Sequence, residues 1–198
     1  AASALTLFVG VTLMLSFRGS TAKTLGLRQA FLLTTLSWLV IAIFAAFPFM
    51  FSELDMSVTD AFFESMSGIT TTGSTVIVGL DGAAPGILLW RALLQWLGGV
   101  GIIVMALAVL PILSVGGMQL FQTEAFDAPD KVVPRATQLA GGIGLVYVAL
   151  TIVWAIALWG AGMPGFDAMA HAMTTLATGG YSTKDASVAH FALSLIHI

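Results

Sequence analysis

The sequence contains no cysteine among its 198 residues. This absence excludes disulfide bonds, thiolate metal sites and a cysteine nucleophile, although it does not indicate the redox compartment. Charge is also scarce, because only 9% of the residues are Asp, Glu, Lys or Arg. A soluble domain of ordinary composition carries about 25% charged residues, so this chain lacks the charge that a water-exposed surface needs.

Basic residues are few and scattered. The chain has 7 Lys and Arg against 10 Asp and Glu, which gives a formal net charge of −3. No Lys- or Arg-rich cluster is present, so we expect neither nucleic-acid binding nor a polybasic membrane-surface patch. The first apolar stretch follows Ala1 without a basic leader or a small-residue cleavage site, which predicts no signal peptide. We expect the chain to be a fragment of a longer protein.

Apolar residues dominate the composition instead. They make up 58% of the chain, and the mean hydropathy is +1.00, which indicates a membrane protein. Four apolar stretches approach or exceed the length that a membrane crossing requires. The predicted crossing segments are 1–17, 29–50, 87–113 and 137–161. Pro48 lies near the far end of the second one and predicts a stop or a kink there.

Two shorter segments between these stretches share one pattern. DAFFESMSGITTTG occupies 60–73, and DAMAHAMTTLATGG occupies 167–180, at a constant offset of 107 residues. The shared residues are Asp60 and Asp167, Ala61 and Ala168, Met66 and Met173, Thr71 and Thr178, and Gly73 and Gly180. Each segment predicts a helix of about 9 to 11 residues that ends where glycine and hydroxyl residues begin. The cap candidates of the first helix are Ser57, Thr59 and Asp60.

A short apolar helix that runs into hydroxyl residues and glycine is typical of a re-entrant pore loop. Backbone carbonyls held in an extended loop can replace the hydration shell of a cation. We expect Gly73 and Gly180 to adopt positive φ, which a larger residue would resist. The alternative is an ordinary extracellular turn after an amphipathic helix, and the presence of two matching copies favours pore loops.

The charged loop residues predict an orientation, provided that the long segments cross the membrane and the short ones return. The basic loop residues then lie on one side: Arg18, Lys23, Arg28, Lys131 and Arg135. The positive-inside rule makes that side cytoplasmic, so both pore loops enter from the outside. Four acidic loop residues lie at the outer side: Glu53, Asp55, Asp81 and Asp185. With only Lys184 nearby as a base, they would modestly raise the local cation concentration.

The motifs resemble a known family of transporters. DAFFESMSGITTTGS at 60–74, LWRALLQWLGGVGI at 89–102 and GGMQ at 116–119 are together similar to the TrkH/TrkG/KtrB family of potassium uptake proteins, and most similar to its TrkH branch. AHAMTTLATGGYST at 170–183 is similar to that family's second filter segment. The resemblance covers about residues 5 to 190.

The resemblance implies four helix–pore loop–helix units around a pseudo-fourfold pore of the potassium-channel-like type. This chain would hold one complete repeat and one partial repeat, after the end of an amino-terminal helix. The expected divisions are that helix end in 1–20, the first unit in 21–115, a cytoplasmic loop in 116–136 and the partial second unit in 137–198. The carboxyl-terminal residues 192–198 depart from the closing helix that the family pattern would place there.

The resemblance also assigns candidate filter residues. The first filter segment comprises Thr70, Thr71, Thr72, Gly73 and Ser74, and the second comprises Ala177, Thr178, Gly179, Gly180 and Tyr181. The carbonyls expected to face K⁺ are those of Thr71, Thr72, Thr178 and Gly179. One shared glycine per loop, in place of the longer TVGYG of potassium channels, predicts looser discrimination between K⁺ and larger alkali ions.

The implied function is K⁺ uptake across the bacterial cytoplasmic membrane by a multi-pass protein. The resemblance implies a homodimer in membrane lipid and a cytosolic nucleotide-binding regulator of the TrkA or KtrA type. No cofactor other than the transported K⁺ is implied, and no enzyme activity is expected. A secondary transporter with inverted re-entrant hairpins is the alternative, and it requires the two loops to enter from opposite sides. An intramembrane hydrolase is a third class, for which the sequence offers no complete nucleophile and base.

Three polar or glycine-rich features within the helices have competing interpretations. Arg91 either snorkels to the membrane surface, pairs with Glu64 or takes part in the pore. Glycines 98, 99 and 101 predict close helix packing, because no strand precedes them as a nucleotide-binding loop would require. His171 matches Glu64 in the repeat, and both are predicted to be packing or hydrogen-bonding residues, with pH sensing as the less favoured reading of the histidine.

Overall fold

The computed structural model describes residues 2–18, 27–113 and 132–191, and within these ranges all regular structure is helical. This agrees with the predicted all-α class. The α-helices are α1 (Ala2–Phe17), α2 (Leu27–Ala45), α3 (Phe47–Met50), α4 (Val58–Ile69), α5 (Pro85–Leu113), α6 (Val132–Gly160) and α7 (Gly165–Leu176). Two 3₁₀ turns, Leu80–Gly82 and Ser187–His190, follow the loops after α4 and α7.

Three segments of the described helices are long and apolar enough to cross a membrane: Phe31–Met50, Pro85–Ile103 and Gly141–Gly160. Each has 19 or 20 residues, which matches the hydrocarbon thickness of a bilayer. Their apolar side chains are widely exposed, as Leu145 shows with 73% of its surface free. The first predicted crossing segment forms α1, whose apolar part, Thr6–Ser16, is shorter than a full span.

Helix boundaries follow local sequence signals, with one correction. The helix is interrupted at Ala46, between α2 and α3 and two residues before Pro48, as the sequence predicted. Helix α6 begins at Val132, earlier than the predicted start at residue 137. Pro134 lies in its first turn, where the missing N–H of a proline removes no intrahelical hydrogen bond. The predicted loop residues 116–131, Lys23 and the tail 192–198 lie outside the described residues.

The two short helices have the predicted positions and nearly the predicted lengths. Each has 12 residues, or about 18 Å, which is too short to cross the roughly 30 Å hydrocarbon core. Ser57, one of the three predicted caps, accepts a hydrogen bond at its Oγ from the Asp60 N–H at 3.1 Å. Helix α7 starts after Pro164 without a side-chain cap.

Helix α5 is the central element of the described fold. It packs against both short helices, while α2 covers α4 and α6 covers α7. The core beside α4 includes Ala42, Phe49, Ala61 and Leu94, all nearly inaccessible to solvent. A second core beside α7 includes Ala155, Leu158, Met163, Ala168, Ala172 and Phe191. The loops that follow α4 and α7 are thereby both held against one helix.

Candidate ion-conduction site

The two filter segments have matching backbone conformations. Thr71 and Thr178 have φ of 56° and 58°, and Gly73 and Gly180 have φ of 82° and 77°. The glycine values agree with the sequence prediction. Positive φ is uncommon for a β-branched residue such as Thr, so its occurrence at both matching positions indicates that the surrounding structure imposes it.

Backbone hydrogen bonds at matching positions hold these turns. The Thr72 N–H donates to the Ser67 carbonyl at 2.9 Å, and the Gly179 N–H donates to the Thr174 carbonyl at 2.9 Å. Each bond reaches back five residues into the last turn of the preceding short helix, which satisfies a carbonyl that the helix end would leave free. The carboxyl ends of both short helices, with their partial negative charge, therefore lie at the filter segments.

The two filter segments contact each other through glycine. The Gly179 carbonyl lies so close to Gly73 that a Cβ at position 73 would overlap it. Position 73 therefore requires glycine for two reasons, the positive φ and the close approach of the Gly179 carbonyl. The structure thus brings together two segments that are separated by about a hundred residues in the sequence.

The remaining predicted filter residues differ in exposure. Thr72, Ser74, Thr178 and Gly180 are exposed, whereas Ala177, Gly179 and Tyr181 are buried. The Ser74 carbonyl accepts a hydrogen bond from the Ser67 hydroxyl at 2.6 Å and lies 3.2 Å from the Tyr181 hydroxyl. Its oxygen is therefore already hydrogen-bonded within the protein. The Thr70 hydroxyl donates to the Met66 carbonyl at 2.7 Å and lies 2.8 Å from the Thr72 hydroxyl.

Arg91 lies behind the filter segments and is buried, with only 1% of its side chain exposed. Its Nε donates to Glu64 Oε1 at 2.8 Å, Nη2 donates to the Thr75 hydroxyl at 3.0 Å, and Nη1 donates to the Ser182 carbonyl at 2.8 Å. The snorkelling interpretation is wrong, because a snorkelling arginine would expose its guanidinium group. The predicted pair with Glu64 is confirmed.

Glu64 connects this arginine to the chain that leaves the first filter segment. The Thr75 hydroxyl donates to its carboxylate at 2.9 Å, and the Val76 N–H donates to it at 3.0 Å. Tyr181, from the second filter segment, places its ring 4.0 Å from the Arg91 guanidinium carbon and donates its hydroxyl to the Glu64 carbonyl at 2.9 Å. One buried cluster therefore joins both filter segments.

His171 occupies the position in α7 that Glu64 occupies in α4. Its Nδ1 lies 2.8 Å from the Asp167 carbonyl, and its Nε2 lies 2.9 Å from the Ser182 hydroxyl. Nδ1 must donate to the carbonyl, which leaves Nε2 to accept from the hydroxyl in the neutral imidazole. The predicted hydrogen-bonding role is confirmed. Ser182 also links this histidine to Arg91, because its hydroxyl binds His171 and its carbonyl accepts a hydrogen bond from Arg91.

Close packing, predicted for all three glycines of α5, is found at Gly98 and Gly99, whereas a Cβ at Gly101 would make only an ordinary contact with Trp38. A Cβ at Gly98 would overlap the Ile69 carbonyl, and a Cβ at Gly99 would lie 3.1 Å from the Ala177 Cα. These glycines lie inside a 29-residue helix, so the nucleotide-loop interpretation does not apply. Their lack of side chains allows α5 to approach the ends of both short helices.

Gln95 is the residue near the filter segments that sequence reasoning missed. It is fully buried, and its Oε1 accepts a hydrogen bond from the Tyr181 N–H at 3.0 Å. The available signal was a polar amide in an apolar helix, one turn after Arg91 and on the same face. Asp185, predicted only as one of the acidic residues at the outer side, accepts hydrogen bonds at its carboxylate from the N–H groups of Gly79 and Leu80.

Comparisons with known proteins identify the family of this chain. The family model described as "TrkH: Cation transport protein" matches residues 1–198. The chain is 52% identical over 168 residues to the Trk system potassium uptake protein TrkH of Salmonella typhimurium, covering 83% of this chain and 35% of that protein. It is 38% identical over 175 residues to the Trk system potassium uptake protein TrkG of Escherichia coli, covering 86% of this chain and 36% of that protein.

A solved structure is also similar. The crystal structure of the potassium transporter TrkH from Vibrio parahaemolyticus superimposes with a TM-score of 0.83 at 40% sequence identity, covering 96% of this chain and 38% of that one. The chain spans about a third of the length of the curated relatives it matches. By sequence and by structure, the chain is a membrane protein that belongs to the TrkH family of cation transport proteins.

Proposed function

We propose that this chain is part of a K⁺ uptake protein and supplies two of the segments that form its ion filter. The observation that carries the proposal is the contact between Gly73 and the Gly179 carbonyl, made by two loops with the same backbone conformation. K⁺ would lose part of its hydration shell to the carbonyls of Thr71, Thr72, Thr178 and Gly179. Further segments of the full-length protein would complete the ring.

Elementary electrostatics supports a cation rather than an anion at this place. Both short helices direct their carboxyl ends, and thus about half a negative charge each, toward the filter segments. The positive charge of Arg91 is compensated by Glu64 at 2.8 Å. Uptake needs no catalytic group, because a membrane potential of 100 mV provides about 2.3 kcal/mol per unit charge.

The inverted-hairpin alternative fits the geometry less well. It requires two loops that enter from opposite sides of the membrane. Here the filter segments contact each other, and the chain beyond them is also joined, since Asp185 binds the backbone of Gly79 and Leu80. The hydrolase alternative is also less well supported, because the Ser65 hydroxyl is buried and donates to the Ala42 carbonyl at 2.7 Å.

The finer assignments follow from the family and remain part of the proposal. The full-length protein would lie in the bacterial cytoplasmic membrane as a homodimer, with both filter segments reached from the outside. The expected chain divisions are 1–20, 21–115, 116–136 and 137–198. The relatives are named as members of a Trk system, which implies several components, and a TrkA- or KtrA-type nucleotide-binding ring is the proposed regulator.

Rescue of a K⁺-requiring bacterial strain by the full-length gene tests this function. We expect the wild-type gene to restore growth at low K⁺. Gly73→Ser should reduce K⁺ uptake or the K⁺:Na⁺ ratio by about tenfold or more, because the side chain overlaps the Gly179 carbonyl and strains the positive φ.

Gly82→Ser is the matched control, since no atom lies within 4 Å of a Cβ at that position. It should leave uptake unchanged. Normal uptake and normal Na⁺ exclusion in Gly73→Ser would defeat the filter assignment. Growth that followed a carboxylate solute instead of K⁺ would favour the secondary transporter.

A further inference from the structure

Gln95 on α5 directs its side chain at the second filter segment. It is fully buried, and its Oε1 accepts the Tyr181 N–H at 3.0 Å, which fixes the orientation of the amide because only the oxygen can accept. Its Nε2 has no hydrogen-bond partner among the described residues. An unpaired buried donor destabilises a fold, so packing alone does not explain why an amide occupies this position.

The hydrogen bond to Tyr181 determines the direction of a carbonyl. The N–H of residue 181 and the carbonyl of residue 180 belong to one peptide plane, and the described peptide bonds contain no cis bond. In a trans peptide these two groups point in opposite directions. The Gly180 carbonyl therefore faces away from Gln95, on the exposed side of the segment.

The same amide contacts the glycines at which the two filter segments meet. A Cβ at Gly179 would lie 2.6 Å from Nε2, so the amide occupies the space where a side chain at position 179 would be. Nε2 also lies 3.7 Å from the position of a Cβ at Gly73. Gln95 is thus the polar group directly behind the contact between the two loops.

We propose that Gln95 is a positioning residue for ion selectivity, which holds the carbonyl of Gly180, a filter residue beside the four carbonyls assigned above, in the direction needed to coordinate the ion as well. The inference rests on the proposed function, since it concerns the same filter. Gly180 has positive φ and no side chain, so it adds no side-chain contact that would fix this peptide plane. The Tyr181 ring is anchored at Arg91 and Glu64, and the bond from the Tyr181 N–H to Gln95 is the contact that acts on the peptide group itself. A carbonyl without a fixed direction would coordinate small and large cations equally well. A carbonyl held in one direction can distinguish cations of different size.

The test compares K⁺, Na⁺ and Rb⁺ uptake by variants of the full-length protein, normalised to their abundance in the membrane. Gln95→Met keeps nearly the same volume and removes the acceptor, and we expect the K⁺:Na⁺ uptake ratio to fall about fivefold, the equivalent of one lost hydrogen bond. Gln95→Glu keeps an acceptor oxygen and should restore much of the ratio. Leu97→Met, at an exposed position on the same helix, should match wild type.

Gln95→Asn is the second variant in case Gln95→Met does not accumulate in the membrane. It remains polar but is shorter by one methylene group, and the same fall in the ratio is expected. A wild-type ratio in Gln95→Met or Gln95→Asn, or a Gln95→Glu protein as unselective as Gln95→Met, would overturn the inference. Absence of K⁺ uptake by the wild-type protein would instead reject the proposed function, so the two failures are distinguishable.

Discussion

Arg91 shows how a charge is maintained inside an apolar helix. A charged side chain at the centre of a bilayer costs about 2.5 to 3.5 kcal/mol on insertion scales. Here Glu64 neutralises it at 2.8 Å, two further oxygens each accept one hydrogen bond from Nη1 and Nη2, and the Tyr181 ring lies over its guanidinium group. The arginine therefore acts as a fixed cross-link between the two filter segments rather than as a mobile charge.

We predict that Arg91 and Glu64 are strongly coupled. Arg91→Gln or Glu64→Gln alone should lower stability by about 3 to 5 kcal/mol, because each leaves the other charge buried and unpaired. The double variant should lose less than the sum of the two single losses, since it removes both charges together. Thermal unfolding of the purified full-length proteins, measured by loss of the monodisperse peak on size-exclusion chromatography, gives the comparison.

Glu53→Gln is the control for this pair, because Glu53 is an exposed carboxylate outside the buried cluster. It should unfold at nearly the wild-type temperature. Strictly additive effects of Arg91→Gln and Glu64→Gln would contradict the coupling. A stable Arg91→Gln protein with altered uptake would instead favour the direct role in the pore.

At the scale of elements, α5 determines the spacing between the two short helices. Helix α4 is fixed at its start by the Ser57 cap, whereas α7 has no side-chain cap and depends on burial. Its buried residues are Asp167, Ala168, Ala170, His171, Ala172, Met173 and Thr174. Both short helices pack against α5, and their carboxyl ends approach it at Gly98 and Gly99, where no side chain intervenes.

A pair of glycine substitutions in α5 tests this spacing. Gly98→Ala should destabilise the full-length protein by about 1 to 3 kcal/mol and reduce uptake, because its Cβ would overlap the Ile69 carbonyl at the end of α4. Gly101→Ala should be neutral or slightly stabilising. Its Cβ would lie 3.4 Å from the Trp38 ring, and alanine favours a helix over glycine by about 1 kcal/mol.

Thermal unfolding and K⁺ uptake of the two alanine variants, measured side by side, test whether the close approach of α5 to α4 requires Gly98. The comparison isolates the contact, because both substitutions add the same methyl group to the same helix. Equal unfolding temperatures for Gly98→Ala and Gly101→Ala would show that the approach of α5 to α4 does not depend on the glycine.

For the molecule as a whole, local sequence signals predicted the elements but not their long-range contacts. The apolar lengths and the break before Pro48 depend on neighbouring residues, so they could be predicted directly, and the same local signals narrowed the cap of α4 to Ser57, Thr59 and Asp60. Arg91 remained ambiguous, because an isolated charge does not reveal whether its partner is water or Glu64. Gln95 was missed since its partner, the N–H of Tyr181, lies 86 residues away and belongs to the backbone.

The two loops that follow the filter segments are also linked to each other. The exposed Asp185 carboxylate accepts hydrogen bonds from the N–H groups of Gly79 and Leu80, both at 3.0 Å. Next to it, Lys184 lies 3.5 Å from Asp81. The chain after the second filter segment is therefore attached to the chain after the first, which helps to hold the two segments together.

The Asp185 bonds make this attachment dependent on pH. Hydrogen bonds from the Leu80 backbone and its neighbours lower the pKa of Asp185 below its usual value of 3.8, although partial desolvation acts in the opposite direction. Because the folded pKa is below the unfolded one, the stabilisation is fully present above pH 3.8. It is lost as the pH falls through the folded pKa.

We therefore expect Asp185→Asn to be less stable than wild type at pH 7, since a charge-assisted bond is replaced by a weaker neutral one. The difference in unfolding temperature should shrink as the pH is lowered below 3.8, where wild-type Asp185 is itself becoming neutral. Hydrogen exchange at Gly79 and Leu80 should be faster in Asp185→Asn at neutral pH and unchanged in Asp55→Asn, an exposed control. A stability difference that is constant from pH 7 to pH 3 would mean that the charge of Asp185 does not hold the two loops together.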